Sequence, residues 1–520
     1  MFRYLNENKI VSRIWKKDPT LWAKSNIDIS ENLGWLDASI LMKSRIAELQ
    51  AFAKTIVHEG FTKVIVLGMG GSSLGAKVFE EHFNAKVNYP VLIVLDSVTS
   101  TYINQLTQSL DLQTTLFVVS SKSGTTVEPL VLYRYFRTLL NAEVGEAKAG
   151  KHFAAITDQN SPLAELAESE TFRKVFENLQ GIGGRFSVQS FFGLLPAALK
   201  GVDIEALLER LNGMSDSCMN VSDLRRNPGV QLGSLLAKME ESGKNKLTFI
   251  SNETTTHFCH WAEQLIAESL GKNGRGIIPI VGEPLVTPKF YTHDRVFVYL
   301  RMGNNASPFL DDFANKLASL NHLVFKIDLN DIFDIGAEFF RWEFAVSIAS
   351  IYMNIYPFDQ PDVQESKVLA SKSIENCLPG KSRQSLGTTG SLKELLSKTT
   401  ANDYLAILAF VNKTPEIEDA IHELRKKVLE NYGIVSTLGY GPTYLHSTGQ
   451  LHKGGPNSGI FLQLVQIEST DIDIPDEAYS LNSLTVAQSQ ADMESLKRRN
   501  RKVVRIVLGE NASCDISNII

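Results

Sequence analysis

The stretch TLFVVSSKSGTTVE, Thr115–Glu128, runs from an apolar strand through a hydroxyl-rich turn into the helical pattern VEPLVLYRYF. Backbone N–H groups left unpaired at a helix start, together with the positive end of the helix dipole, attract an anion. Here Ser121, Ser123 and Thr126 add hydroxyl donors and Lys122 adds a point charge, so a phosphate fits the turn. Ser and Thr also favour helix starts for their own sake. Taken alone, the segment is therefore either an anion cradle or a Ser/Thr-capped turn.

Outward from this stretch, apolar strands alternate with helical patterns. KVIVLG leads into the glycine turn GMGGSSLG (Gly68–Gly75), VLIVLD ends on Asp96, and FAAIT (Phe153–Thr157) closes the run. Such alternation predicts a parallel sheet covered on both faces. The glycine turn invites a dinucleotide-binding reading, with Asp96 where a ribose-binding acid would stand. The third glycine position is Ser73, however, and the turn offers Gly71, Ser72 and Ser73 at a helix start. Two adjacent strand ends thus converge on a polar ligand, as expected for the crevice of an open α/β sheet.

Beyond a less regular stretch lies GIGGRFSVQSFFGLLPAALKG (Gly181–Gly201), in which Gly184 lets backbone approach a ligand and Arg185 is the charged group ahead of an apolar helix capped near Ser187. An arginine there faces an oxyanion or ties the loop to a carboxylate. A second α/β run begins at KLTFIS (Lys246–Ser251). In its helix HFCHWAEQLIAESLG, Trp261, Leu265 and Glu268 share one side, placing Glu268 beside the apolar face at the last turn. Partial burial and the negative end of the helix dipole favour a basic carboxylate there, suited to a general base; a salt link to Lys272 is the competing role. A long helix from about Phe339 to Tyr356 ends at PFDQPDVQESK. Its two prolines fix a turn around Gln360, and Asp362 caps a helix carrying Lys367. Lys372–Thr400 has a boundary composition, and a third, smaller α/β unit follows from YLAILAFV to VVRIVLG.

The chain has 520 residues, 43% of them hydrophobic, enough for roughly three domains. Lys plus Arg number 52 against 58 Asp plus Glu, a net charge of −6, so a dedicated nucleic-acid surface is not expected; the tract SLKRRNRK (Ser495–Lys502) reads as a solvated helix end. The four cysteines, Cys218, Cys259, Cys377 and Cys514, show no metal-type spacing. Phe344–Phe358, the most apolar stretch, is too short to span a membrane, and the N-terminus has no signal core. A soluble, cytoplasmic protein is expected, with three tryptophans, Trp15, Trp22 and Trp35, marking an N-terminal docking arm.

Together, VLGMGGSSLG, SSKSGTTVE, GGRFS, EQLIAESLGKNGRG, PFDQPDVQESK and HSTGQ resemble the phosphoglucose isomerase family. The segments from WKKDPTLW to GWLDA and HSTGQLHKGGPNSG look like the isomerase half of fused transaldolase/isomerase proteins. The resemblance implies an α/β fold of two sugar isomerase domains with parallel-sheet sandwiches plus a smaller C-terminal α/β unit. The division expected is an arm at 1–38, domains at 39–215 and 216–371, and the C-terminal unit at 372–520. It also implies a homodimer, a small sugar phosphate as ligand, and no metal or other cofactor. By resemblance, Ser121, Lys122, Ser123 and Thr126 hold the substrate phosphate, with Gly71 and Ser72 beside the sugar. Glu268 shuttles a proton between C2 and C1, and Arg185 with the Gly184 backbone stabilises the cis-enediolate. Glu128 and Gln360 line the sugar site, and Lys367 helps open the ring.

One departure concerns the ring-opening histidine, which in the family precedes the lysine; here His446 follows Lys367. Either the C-terminal unit returns His446 to the site, from this chain or a partner, or His452, His257 or His260 takes the role, or Lys367 acts alone. The function implied is interconversion of glucose 6-phosphate and fructose 6-phosphate, with mannose 6-phosphate a further candidate substrate. A sugar-phosphate-binding regulator would keep the cradle without needing Glu268, Arg185 and Lys367 together. An NAD-dependent oxidoreductase is disfavoured by the glycine spacing.

Overall fold

The first run of strands in the computed structural model, which describes residues 1–22, 32–363, 369 and 386–520, forms a parallel five-stranded sheet. Its strands are β1 (Lys63–Gly68), β2 (Val91–Leu95), β3 (Thr115–Ser120), β4 (Phe153–Thr157) and β5 (Lys174–Glu177), ordered β2-β1-β3-β4-β5. The strand β5 falls in the stretch read from sequence as irregular. It is a four-residue edge strand with little apolar alternation, so periodicity does not reveal it. A second parallel sheet contains β6 (Lys246–Ile250), β7 (Ile278–Ile280), β8 (Arg295–Met302) and β9 (Val324–Leu329) in the order β7-β6-β8-β9. The third contains β10 (Tyr404–Phe410), β11 (Val435–Tyr440), β12 (Gly459–Gln466) and β13 (Lys502–Leu508) in the order β11-β10-β12-β13.

All three sheets repeat one topology, in which the strand order reverses between the first and third strands. Ligands in such sheets bind outside the carboxyl ends of the strands at that reversal. In the first sheet the register pairs Gly68 with Ser120, so the glycine turn and the hydroxyl-rich turn leave adjacent strands side by side. The Ser120 hydroxyl donates to the Ser72 carbonyl at 2.8 Å and joins the two turns.

The N-terminal segment docks on the long helix Asp334–Met353. Trp15 stacks on Phe340 and Phe344, the Trp22 indole donates to the Ser350 hydroxyl at 2.9 Å, and Trp35 packs between Phe186 and Phe340. Aromatic pairs of this kind each contribute about 0.5–1.5 kcal/mol beyond their area burial. The long helix starts earlier than its sequence pattern suggests and ends at Asn354, whose left-handed backbone (φ +55°) stops it. The helix after Arg185 is Phe191–Lys200, capped by Ser190 and not near Ser187; Ser187 instead closes the preceding turn by donating to the Gly184 carbonyl at 2.7 Å. The basic tract at 495–502 is also built into the structure. Arg499 pairs with Asp362 at 2.7 Å, and Arg501 donates to the Lys453 and Gly455 carbonyls. Residues 372–385 of the expected boundary lie outside the described residues, whereas Thr389 is bonded to Arg505 at the edge of the third sheet. Among the described residues no helix is long and apolar enough to cross a membrane.

Burial in the long helix has a pH consequence. Glu338 is 1% exposed and 3.2 Å from Arg341. Burial raises its carboxyl to about 7, Arg341 only partly offsetting this, against an ordinary value of 4.5. The folded state therefore holds a proton that the unfolded chain releases near 4.5, and this contribution to stability is lost as pH rises through about 7. Thermal unfolding of wild type against Glu338→Gln, followed by circular dichroism, is expected to show the wild type losing ground between these two pH values and no further change above the second.

Candidate active site

The cradle forms as a tight turn. Gly124 adopts φ +69°, and a Cβ there would lie 2.6 Å from the Leu163 amide nitrogen, so glycine is required both for conformation and for space. Ser121 is buried and donates to Thr126 at 3.1 Å; Ser123 is exposed and shares a hydroxyl contact with Thr125 at 2.9 Å. Thr126 is the N-cap of the 18-residue helix Val127–Val144, yet its side chain makes no capping bond. The hydroxyls of this turn are thus held by one another rather than spent on the helix end. Lys122 is paired with Asp158 at 2.7 Å. Its charge is shared with that carboxylate instead of standing free at the cradle.

The glycine turn and the Gly184–Phe186 turn touch backbone to backbone. A Cβ on Gly71 would come within 2.3 Å of the Gly184 carbonyl group. Ser72 sits half-buried beside this contact. From the second turn Arg185, 4% exposed, reaches across to the end of the helix Thr256–Leu270 and meets Glu268 at 2.5 Å. The same guanidinium donates to Gln360 at 3.2 Å and to the carbonyls of Pro357 and Asp359, each at 2.7 Å. Of the two roles considered for Arg185, the carboxylate tie is the one these contacts show. Lys272 does not pair with Glu268. It donates to the Tyr356 and Asp359 carbonyls and to the Asp359 carboxylate at 2.8 Å. Burial and the Arg185 charge pull its ammonium down to about 7. The proline-bracketed turn at 357–361 is thereby gripped by two cations. Lys367 lies outside the described residues.

The C-terminal unit of this same chain closes the site. Its turn Thr443–His446 lies over the glycine turn: Gly70 has φ +55°, and a Cβ there would fall 2.3 Å from the His446 carbonyl oxygen. His446 Nε2 meets Glu128 Oε1 at 2.9 Å. Glu128 is 2% exposed and faces His446, not open space; Gln488, on the helix Leu481–Arg498, donates to the same oxygen at 2.6 Å. Burial raises the Glu128 carboxyl, but the His446 charge and these hydrogen bonds outweigh it and hold the group below its ordinary range. Gln264 joins the two halves. Its amide donates to Glu268 at 3.2 Å and to the His446 carbonyl at 2.8 Å. Gln450 of the HSTGQ segment accepts from the Asp362 amide at 2.9 Å, tying that segment to the turn after Gln360.

The other histidines face elsewhere. His452 is 3% exposed between Tyr444 and Phe461, and burial with the neighbouring Lys453 pulls it down to about 3. His260 meets Glu263 at 3.2 Å, and His257 lies 4.0 Å from Glu81, both two or more turns before Glu268 along their helix. Sequence reading missed Gln264 and Gln488. Gln264 stands one helical turn before Glu268, a spacing that could have flagged it; Gln488 carries no local signal.

The Phosphoglucose isomerase family profile matches residues 41–273. The chain is 27% identical to a glucose-6-phosphate isomerase of Mycoplasmopsis pulmonis over 71% of this chain and 97% of that protein. It is 29% identical to one of Shouchella clausii over 64% and 84%, respectively. A solved hypothetical protein of Thermus thermophilus superposes with a TM-score of 0.60 at 25% identity, covering 71% of this chain and 97% of that one. The fold is also that of a glucose-6-phosphate isomerase from Chlamydia trachomatis, with a TM-score of 0.59 at 18% identity, 72% of this chain and 85% of that one. Gln360 and His446 lie beyond the segment matched by the family profile, and the folded chain brings them to it.

Proposed function

We propose that this protein interconverts glucose 6-phosphate and fructose 6-phosphate through a cis-enediol intermediate. The observation that carries the reading is the opposed pair of dyads, Arg185 with Glu268 and His446 with Glu128, linked through Gln264 beside the hydroxyl-rich turn. In this reading Ser121, Ser123, Thr126 and the backbone of the turn hold the non-reacting phosphate, with Lys122 contributing charge at its edge. Anchoring the phosphate fixes where C1 and C2 sit, which converts remote binding into orientation at the reacting carbons.

Ring opening requires a proton to reach the ring oxygen and another to leave the anomeric hydroxyl. His446 is the group we assign to this exchange, with Lys367 assisting. Glu128 acts behind it, orienting the imidazole and stabilising its charged form, while Gln488 fixes Glu128 in turn. Glu268 then removes the proton from C2 and returns it to C1, or the reverse, and Arg185 faces the oxygen on which negative charge develops. The turn at Gln360, held by Arg185 and Lys272, forms a wall of the sugar site. Within the family we group the chain with the isomerase half of fused transaldolase/isomerase proteins, on the late position of the His446 loop.

The test separates ring opening from proton transfer. Purified protein is expected to convert fructose 6-phosphate to glucose 6-phosphate in a coupled assay. His446→Ala is expected to lower turnover of the cyclic sugar by about 10²–10⁴-fold, the range for loss of a general acid–base, while leaving turnover of an open-chain substrate within a few-fold of wild type. Equal losses on both substrates would overturn the assignment of His446.

A further inference from the structure

A second cavity, of about 290 Å³, lies behind the glycine turn where the first and third sheets meet the Glu268 helix. Its volume is at the lower end of the roughly 300–1,000 Å³ typical of small-ligand sites. At its floor stands Asp96, the residue directly after β2, with Lys77, Lys413, His257, Glu263 and Tyr440 around it. None of the proposed catalytic side chains lines it.

The charges select the ligand. Lys77 is paired with Glu80 at 2.8 Å and Glu81 at 3.1 Å, Lys413 with Glu418 at 3.1 Å, and Glu263 with His260 at 3.2 Å. Asp96 differs: among the described residues no side chain donates a hydrogen bond to its carboxylate, although Lys77 and Lys413 both act on it through space. An anion entering here would meet two carboxylates. A cation would meet two ammonium groups. What the site can satisfy is an uncharged molecule with adjacent donors, since a vicinal diol places two O–H groups against the two oxygens of one carboxylate. Tyr440 adds a buried hydroxyl that has no partner among the described residues, and its ring lies on the cavity wall. Aliphatic Leu74, Val94 and Leu438 leave room for a flat apolar face beside the diol.

We propose that this cavity binds an uncharged ribonucleoside, Asp96 accepting from the two ribose hydroxyls and Tyr440 flanking the base. A carboxylate at the end of the second strand is where dinucleotide-binding sheets hold a ribose. Here the glycine turn itself is filled by Gly184 and by the His446 carbonyl, which leaves no place for a pyrophosphate. The cavity also abuts the proposed catalytic machinery. The Thr443 hydroxyl donates to the Asp96 carbonyl, and Thr443 and Ser447, flanking His446, form part of the wall. An influence on turnover through His446 rests on the isomerase reading; binding itself does not.

Isothermal titration calorimetry of the full-length protein tests the site without reference to turnover. Adenosine is expected to bind saturably, and both its 2′-deoxy analogue and the Asp96→Asn variant are expected to weaken binding by about tenfold or more, as loss of a hydrogen bond to a charged group requires. Tyr440→Ala, which removes the flanking ring and leaves Asp96 intact, is expected to weaken it too. Absence of saturable binding at millimolar adenosine, or equal affinity in wild type and Asp96→Asn, overturns the proposal. Free ribose binding as tightly as adenosine overturns the nucleoside assignment. Asp96→Asn is expected to isomerise fructose 6-phosphate at close to the wild-type rate, which separates a failure of this site from a failure of the isomerase reading.

Discussion

Glu268→Gln is expected to lower fructose 6-phosphate turnover by about 10³–10⁴-fold, the upper part of the range for a general base in direct contact with the transferred proton. The amide keeps the size of the carboxylate and its one oxygen can still accept from Arg185, so the variant is expected to fold and bind substrate, although the Gln264 bond and the charge of the ion pair are lost. A split between kcat and KM is therefore diagnostic: kcat falls and KM stays within a few-fold. Exchange of the C2 proton of the sugar with solvent deuterium, followed by NMR, is expected to disappear together with turnover. Retained exchange in Glu268→Gln would assign the base elsewhere. Glu263, on the same helix, offers a control. It faces His260 and the second cavity, and its replacement by Gln is expected to leave kcat near wild type.

Arg185→Ala is expected to damage both chemistry and folding. Removing a fixed donor from a developing oxyanion costs about 10²–10³-fold in kcat. Beyond that, Arg185 is 4% exposed and its loss leaves Glu268 without its ion-pair partner, removes the Arg185 bond to the Pro357 carbonyl and leaves the Asp359 carbonyl to Lys272. Breaking a buried pair from one side destabilises by about 3–5 kcal/mol, which urea unfolding would detect. Arg185→Lys restores the charge but not the planar fork that reaches three acceptors on the 357–360 turn as well as Glu268. It is expected to recover stability only in part and to leave kcat well below wild type. A Lys variant with full activity would show that charge alone suffices and that the geometry of the guanidinium does not matter.

Much of the fold is legible in the residues because its signals are local. Runs such as KVIVLG, LFVVS and YLAILAF are too short and too uniformly apolar for surface helices and are bounded by glycine or hydroxyl residues, so strand and turn can be assigned from a dozen positions at a time. The edge strand β5 escaped because four residues with mixed burial carry no period. Glu268 was placed on a helix face by simple angular spacing, and the face it occupies in the folded chain is the one that meets Arg185.

What the residues alone determined is the alternation of strands and helices, the phosphate-compatible turn at Ser121–Thr126, and the nature of the groups able to do chemistry. Which of those groups face one another was decided by tertiary structure. Glu268 lies four residues from Lys272 yet pairs with Arg185, 83 positions away, because Lys272 is drawn off to the Asp359 turn. His446 stands 318 positions from Glu128 and reaches it only because the third sheet folds back over the glycine turn. Periodicity reports which side of its own element a residue occupies; it carries nothing about the element packed against that side. The partner of a buried charge is fixed by desolvation and geometry across sheets, and that information exists only once the chain has closed on itself.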